Sequence, residues 1–437
     1  MSRAAQNLAL KITNKKARIS IIGQGYVGLP LANAFASKGF KVTGIDLDPK
    51  KVSSIQRGVS YIEDIPSASL AQLVKKKRLS ASSSYEPLRE SDIVIVCVPT
   101  PLNRVKDPDI SFIVAATDAI LQHLHPGQLV ILESTTYPGT TEEVILPTLE
   151  KSRLKVGQDF FLCFSPERID PGNPHFHTRN IPKVVGGVTS ECSKLGASLY
   201  EKITTSVFKV SSCRTAEMAK LLENTFRIVN IGLINELARA ASSLKVNIWE
   251  VIEAAKTKPF GFMPFYPGPG IGGHCIGVDP IYLSWKAKIH GFDLHFIELA
   301  RRLNAEMPHY VVSQVVYTLN QYTHKAISRS KVLLLGVSYK KDVSDIRESP
   351  SLDILQALRN LGAKVTYHDP YVPLIQHDTL TMKSLPLTPK TLKDQDLVIL
   401  ATDHSVFSHR TIVKNSKLIY DTRNALKHFK ETHIVRL

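Results

Sequence analysis

Arg18-Ile-Ser-Ile-Ile-Gly-Gln-Gly-Tyr-Val-Gly28 is an apolar, β-branched run that breaks on a Gly-x-Gly-x-x-Gly turn. Its first half predicts a strand buried on both faces. Gly23, Gly25 and Gly28 predict a tight turn, a backbone that a pyrophosphate can approach, and close packing of a helix on that strand. A helix is expected over Pro30–Lys38, its N-terminus facing the phosphates. The next strand, Lys41–Ile45, ends on Asp46, at the downstream distance of a ribose-binding acid. A carboxylate there accepts ribose hydroxyls and repels a 2′-phosphate, so the pattern predicts NAD over NADP. Gly23, Gly25, Tyr26, Val27, Gly28 and Asp46 form the candidate cofactor site.

Outward from this turn the same grammar repeats. Asp92–Val98, Gln128–Glu133, Phe160–Phe164, Lys183–Val185 and Val207–Val210 read as further strands, with helices or loops between them. Strand and helix in alternation predict a doubly wound parallel sheet. Near Cys213 the period changes. Met218, Leu221, Leu222, Phe226, Val229, Leu233, Ile234 and Leu237 recur at helical spacing across Thr215–Leu244. A helix of that length, roughly 45 Å at 1.5 Å per residue, bridges domains or builds a dimer interface. Asn304–Asn320 continues the helical pattern, and the Gly- and Pro-rich stretch Pro259–Pro280 between them predicts an irregular loop. The last third repeats the first. Lys331–Gly336 mirrors Arg18–Gly23, Ala363–Pro370 mirrors Phe40–Asp46, and Asp396–Leu400 mirrors Asp92–Val96. The expected architecture is α/β: two Rossmann-like doubly wound parallel-sheet domains joined by a central helical domain with one long helix. The expected boundaries are a loose or docking tail over 1–17, domains over 18–212 and 321–437, and helices over 213–320.

Length and composition agree. At 437 residues and 43% apolar content the chain is long enough for two or three packed domains. No apolar run is long enough to span a bilayer, and the N-terminus lacks the apolar core of a secretory signal. Cysteines at 97, 163, 192, 213 and 275 are odd in number and form no Cys-x-x-Cys pair, so no disulfide framework or zinc site is expected and a reducing cytoplasm is. The net charge of +16 suits an anionic ligand. No nucleic-acid-reading module accompanies it, and Lys75-Lys76-Lys77-Arg78 reads as a solvated helix end.

Gly268-Pro-Gly-Ile-Gly-Gly-His-Cys-Ile-Gly-Val-Asp-Pro280 carries the chemistry. A cysteine in a glycine-rich loop, preceded by His274 and followed by Asp279, reads as a nucleophile, reactive as its thiolate. Lys220 and Asn224 share one face of the long helix and together offer a charge and an amide to a developing oxyanion. Ser165-Pro-Glu-Arg168 follows an apolar strand, where an open sheet collects its ligands. Glu167 is therefore a candidate general base, with a loop salt bridge to Arg168 as the alternative.

Gly-x-Gly-Tyr-Val-Gly-Leu-Pro, Ser-Pro-Glu-Arg, Glu217–Arg227, Gly272–Pro280 and Ser338–Pro350 together resemble the UDP-glucose/GDP-mannose dehydrogenase family over nearly the whole chain after residue 17. Pro264–Gly270, Tyr137–Thr141 and Asp279–Leu283 look most like its bacterial UDP-N-acetylglucosamine 6-dehydrogenase branch. The resemblance implies an NAD-dependent four-electron oxidation of the C6 alcohol of a UDP-N-acetylhexosamine, UDP-N-acetylglucosamine first and UDP-N-acetylmannosamine or UDP-glucose as alternatives, to the acid for surface polysaccharide precursors, without release of aldehyde, through a thiohemiacetal and then a thioester on Cys275. It implies that Glu167 assists hydrolysis, that Lys220 and Asn224 hold the oxyanion, and that Asp279 with Thr136 positions water or protons. Thr100 and Thr136 would border the nicotinamide. Glu167, Arg168, Lys220, Asn224, Gly272, Gly273, Lys340 and Arg347 would face a UDP-sugar between domains. The resemblance further implies a dimer or higher homo-oligomer built on the long helix, with no metal.

Overall fold

The Ile-rich run that opens the reading is strand β1 (Arg18–Ile22), third in an eight-stranded sheet. The computed structural model describes residues 2–62, 65–103, 105–169, 176, 180–377 and 380–437, apart from the side chains of His274 and Cys275. Along the first unit run α1 (Arg3–Thr13), β1, α2 (Gly28–Ser37), β2 (Lys41–Ile45), α3 (Ser67–Lys75), β3 (Leu79–Ser82), β4 (Ile93–Val96), β5 (Leu129–Leu132), β6 (Phe161–Phe164), β7 (Lys183–Gly187), α4 (Ser190–Tyr200) and β8 (Val207–Val210). The sheet order is β3-β2-β1-β4-β5-β6-β7-β8.

Period-two alternation sends these strands' side chains into two cores. Ile19, Ile21, Ile93, Ile95, Leu129 and Ile131 pack with Phe35 and Tyr200. Val94, Val96, Val130, Leu132, Leu162 and Phe164 pack with Ile113, Ile120 and Leu149 in the other. Burying each such side chain stabilises the fold by about 1.5–3 kcal/mol, which is why nearly unbroken apolar runs mark these strands. Strand β3 was not expected: Leu-Ser-Ala-Ser at the sheet edge buries only Leu79 and carries no period. Strand β7 departs from the parallel order. It pairs antiparallel with β6, Cys163 opposite Gly187, and only β8 follows it in parallel.

Residues 2–17 are docked. Ser2 caps α1 by accepting from the Ala5 amide, and Ala5, Leu8 and Ile12 are buried in the core that also holds α4 residues. The basic run 75–78 is the exposed end of α3, as expected.

Three long helices follow: α5 (Cys213–Ser243), α6 (His274–Ile289) and α7 (His295–Thr323). The chain gathers into two compact units, Met1–Glu223 with Ile281–Phe292, and Asn224–Pro280 with Asp293–Leu437, so the divide falls within α5 and α6. Along α5, Met218, Leu222, Phe226, Leu233 and Leu237 are exposed on one stripe. The loop expected through Pro280 stops at Gly273, and Pro280 lies inside α6. Proline removes one helical hydrogen bond, but Tyr282 just beyond it is buried with its ring centroid 6.3 Å from that of Tyr137, so packing carries the helix on.

In the second unit β9 (Lys331–Leu335), α8 (Pro350–Asn360), β10 (Lys364–His368), β13 (Leu397–Leu400), β14 (Ile419–Asp421) and β15 (Ile434–Arg436) form a parallel sheet in the order β10-β9-β13-β14-β15, with the hairpin β11 (Leu374–His377) and β12 (Leu380–Lys383) beside it in sequence. The mirrored first and last thirds thus fold alike around their leading strands.

Candidate active site

Sterics at the glycine turn explain each glycine separately. A Cβ on Gly23, at φ +89°, would lie 2.4 Å from the Cys97 carbonyl oxygen, and one on Gly28 only 1.8 Å from that of Gly23. These two glycines let β1, β4 and α2 close together. Gly25 is different, for nothing lies within 4 Å of its Cβ position. Asp46 accepts from the Gln24 amide at 2.8 Å, from the Asp48 amide at 2.9 Å and from Lys51 Nζ at 3.1 Å. It ties down the turn and, with about four lone-pair sites, keeps room for another donor. Tyr26 is exposed and Val27 half-buried beside the turn. Thr100 and Thr136 are buried in the segments after β4 and β5, the Thr136 hydroxyl 2.6 Å from that of Thr140. An open glycine backbone at a helix N-terminus, with a partly exposed carboxylate beside it, fits a dinucleotide with free ribose hydroxyls.

The corresponding turn in the second unit does not. There Asp369 accepts from the amides of Val337, Ser338, Tyr371 and Val372 and lies 3.0 Å from His404 Nε2. It is fully buried, and its acceptor sites are taken.

Glu167 does not bridge to Arg168, whose guanidinium pairs with Glu223 at 2.6 Å. Instead Glu167 Oε1 accepts the amides of Arg168 and Ile169, at 2.7 and 2.8 Å, and Oε2 lies 3.0 Å from Lys183 Nζ. Lys183 is buried and also reaches Glu133, at 3.0 Å, which accepts from the Tyr200 hydroxyl. Burial pushes the Glu167 carboxyl up, but the Lys183 ammonium and the two amides outweigh it and hold it below the usual range. Burial pulls Lys183 down, and the two carboxylates more than reverse that. Glu133, deepest of the three, is raised by burial. Lys183 and Glu133 were not legible as site residues: their partners come from different strands.

Lys220 and Asn224 are both buried on α5, one turn apart. Asn224 Nδ2 donates to Asp279 Oδ2. Asp279 stands on α6 one turn after Cys275, the second helical residue, whose side chain lies outside the described residues. Gly272 and Gly273 press on Tyr339, where Cβ atoms would meet its side chain at 2.5 and 2.8 Å, and the Gly273 amide donates to the Arg347 carbonyl. The glycine loop and the Ser338–Pro350 motif are therefore neighbours. Lys340 is half-buried. Arg347 forks onto Asp345, with contacts of 2.6 to 3.0 Å, so much of its charge is matched there. Sequence reasoning missed Arg423, just past β14. Its Nε donates to the Ala401 carbonyl, its Nη1 abuts Gly268, and no carboxylate bridges to it among the described residues. Burial pushes its guanidinium down to about 10, and the nearby Asp421 carboxylate reverses only part of that. Arg423 follows a strand end, the one signal that pointed to it.

Models of the UDP-glucose/GDP-mannose dehydrogenase family match in series: its NAD binding domain over residues 17–204, its central domain over 214–306 and its UDP binding domain over 333–428. The chain belongs to that family. The UDP-N-acetyl-D-glucosamine 6-dehydrogenase of Pseudomonas aeruginosa is 38% identical over 424 residues, spanning 94% of this chain and 98% of that one. The solved UDP-D-ManNAc dehydrogenase of Pyrococcus horikoshii superposes with a TM-score of 0.85 at 33% identity, over 96% of this chain and 98% of that one. The UDP-N-acetyl-mannosamine dehydrogenase of Staphylococcus aureus follows with a TM-score of 0.82, also at 33% identity, over 96% and 98%. As a member of this family the protein is an NAD-dependent oxidoreductase of nucleotide sugars, and the glycine turn with Asp46 lies within its NAD binding domain. Among the described residues no cluster of side chains suits a metal ion, and no helix is long and apolar enough to cross a membrane.

Proposed function

We propose that this dehydrogenase oxidises the C6 alcohol of a UDP-N-acetylhexosamine, UDP-N-acetylglucosamine foremost, to the carboxylate, with Cys275 as covalent nucleophile. The observation that carries the proposal is the buried Asn224–Asp279 hydrogen bond beside the first turn of α6. It holds the Asp279 carboxylate, one helical turn from Cys275, against the Asn224 amide, and the first turn of a helix favours a thiolate. A simple alcohol dehydrogenase has no use for such a group.

NAD, when bound, supplies the hydride acceptor, twice per sugar. The C6 alcohol first loses a hydride from carbon and its hydroxyl proton to water, leaving an aldehyde; Cys275 adds its thiolate sulfur to that carbon to form a thiohemiacetal, and Lys220 and Asn224 offset the charge on its oxygen. Loss of the second hydride leaves a thioester. Glu167, held as a carboxylate, takes a proton from the water that cleaves it, and the thiolate leaves. Asp279 and Thr136 orient water and protons, and Lys340, Arg347 and Arg423 are the cations for the diphosphate.

The Pseudomonas relative supports the glucosamine reading. The likeness to two mannosamine enzymes supports UDP-N-acetylmannosamine as the second reading. The exposed apolar stripe on α5 supports a homodimer through that helix, since a row of large apolar side chains favours burial against a second copy. The test is NADH release with UDP-N-acetylglucosamine, UDP-N-acetylgalactosamine, UDP-N-acetylmannosamine and UDP-glucose. Two NADH per sugar with an N-acetylated substrate is expected. One NADH per sugar refutes the covalent mechanism, and turnover of UDP-glucose alone refutes the substrate class.

A further inference from the structure

We propose that Lys183 is a positioning residue that keeps Glu167 ionised and aimed, and that Glu133 is the counter-charge that keeps Lys183 in place. The proposal rests on the reading of Glu167 as the group that acts on water. It follows from the strand order. Strands β5 and β6 run parallel, with Leu132 opposite Phe164, and deliver Glu133 and Glu167 beyond the same edge of the sheet. A parallel β7 would bring its last residue to that edge. Because β7 is reversed, its first residue, Lys183, arrives there instead. Its ammonium lies 3.0 Å from each carboxylate and 3.3 Å from the Pro166 carbonyl, over the Tyr200 ring.

Stability alone is a poor reason for this arrangement. Burying three charges gains little, and apolar residues of similar volume often do as well or better. What it does provide is a carboxylate with both oxygens fixed. One is held by two loop amides and the other by Lys183, so neither rotation nor protonation is free. The groups that face this set are Tyr200 from α4, Cys97 after β4, and Glu133 and Glu167 themselves. Arg168 is turned away onto Glu223 and the Pro182 carbonyl. Glu133 carries negative charge toward Lys183 without touching Glu167's oxygens, so the ammonium stays charged while its position is shared.

The signs follow. Removing the ammonium leaves Glu167 buried beside a like charge, and its protonation then sets in at higher pH. Removing the Glu133 charge lifts that repulsion and leaves Lys183 to Glu167 alone, so protonation sets in at lower pH. A merely structural part would give loss of activity at every pH and no opposed shifts.

The experiment is a carboxyl 13C NMR titration of the full-length protein, with the Glu167 signal assigned by its loss in Glu167→Gln. It is paired with the pH profile of NADH release from UDP-N-acetylglucosamine. Lys183→Met is expected to move the Glu167 titration and the acid limb upward together, with about tenfold or greater loss of rate on the acid side. Lys183→Arg should restore both, and Glu133→Gln should move the titration the other way. That last variant keeps the test alive if Lys183→Met fails to fold. A Glu167 signal that titrates unchanged in both variants overturns the proposal. If Glu167→Gln instead keeps full two-NADH turnover, Glu167 has no part in the chemistry, and the NMR arm still judges Lys183 by itself.

Discussion

Adding one methyl group at Gly25 and at Gly28 should separate cofactor binding from folding. At Gly28 a Cβ would lie 1.8 Å from the Gly23 oxygen and 3.0 Å from its carbon, both of them backbone atoms. Ordinary contact begins near 3.4 Å, so α2 must move away from the turn by more than 1 Å. Overpacking of this kind costs about 1–3 kcal/mol of folding stability, and because NAD needs the turn in its original shape, restoring that shape opposes binding by up to the same amount. At about 1.4 kcal/mol per tenfold, Gly28→Ala is expected to weaken NAD binding roughly 5- to 150-fold and to lower the melting temperature. Gly25 has no neighbour within 4 Å and a φ outside the left-handed region. Gly25→Ala should therefore leave the ligand-free protein within about 0.5 kcal/mol of the parent. Its new methyl group faces the surface that a pyrophosphate approaches, so NAD should bind about tenfold or more weakly. Thermal unfolding of the ligand-free proteins and calorimetric titration with NAD measure the two effects. Unchanged NAD affinity in Gly25→Ala would refute the assignment of this turn, and equal destabilisation by both variants would refute the steric argument.

Three further outcomes are expected. Asp46→Ala should raise KM for NAD and narrow the preference over NADP, because the carboxylate that opposes a 2′-phosphate is gone; steady-state kinetics with both cofactors measure it. Cys275→Ser should fail to deliver two NADH per sugar, so full stoichiometric release by that variant rules out the covalent step. Leu233→Glu with Leu237→Glu, placed on the exposed stripe of α5, should convert a homodimer to monomers in light scattering, and a parent protein that is already monomeric disproves the dimer.

Much of the fold was legible because burial on both faces of a sheet demands continuous apolar strands. Arg18–Ile22, Lys41–Ile45 and Val207–Val210 begin and end where the sequence placed them. Polar Leu79–Ser82 was invisible because an edge strand needs little burial. The start of helix α6 was read as loop because Gly and Pro crowd the stretch Pro259–Pro280, whereas the packing that carries the helix through Pro280 involves Tyr137, far away in sequence. The same limit governs the site. Lys220 and Asn224 share a helix face and could be paired by spacing, as could the glycine turn and Asp46. Glu133, Lys183 and Arg423 acquire meaning only from strand order and from neighbours distant along the chain, which local spacing does not encode.

The two strand–turn–acid corners show how a repeated scaffold can specialise while keeping its strand order. Asp46 and Asp369 close equivalent corners, yet the second has exchanged receptivity for rigidity by filling its last acceptor positions with Tyr371, Val372 and His404. Receptivity is thus a matter of unspent valence. A search that scores only the strand–glycine–acid pattern will find two dinucleotide mouths in this chain, and counting donors around each acid leaves one.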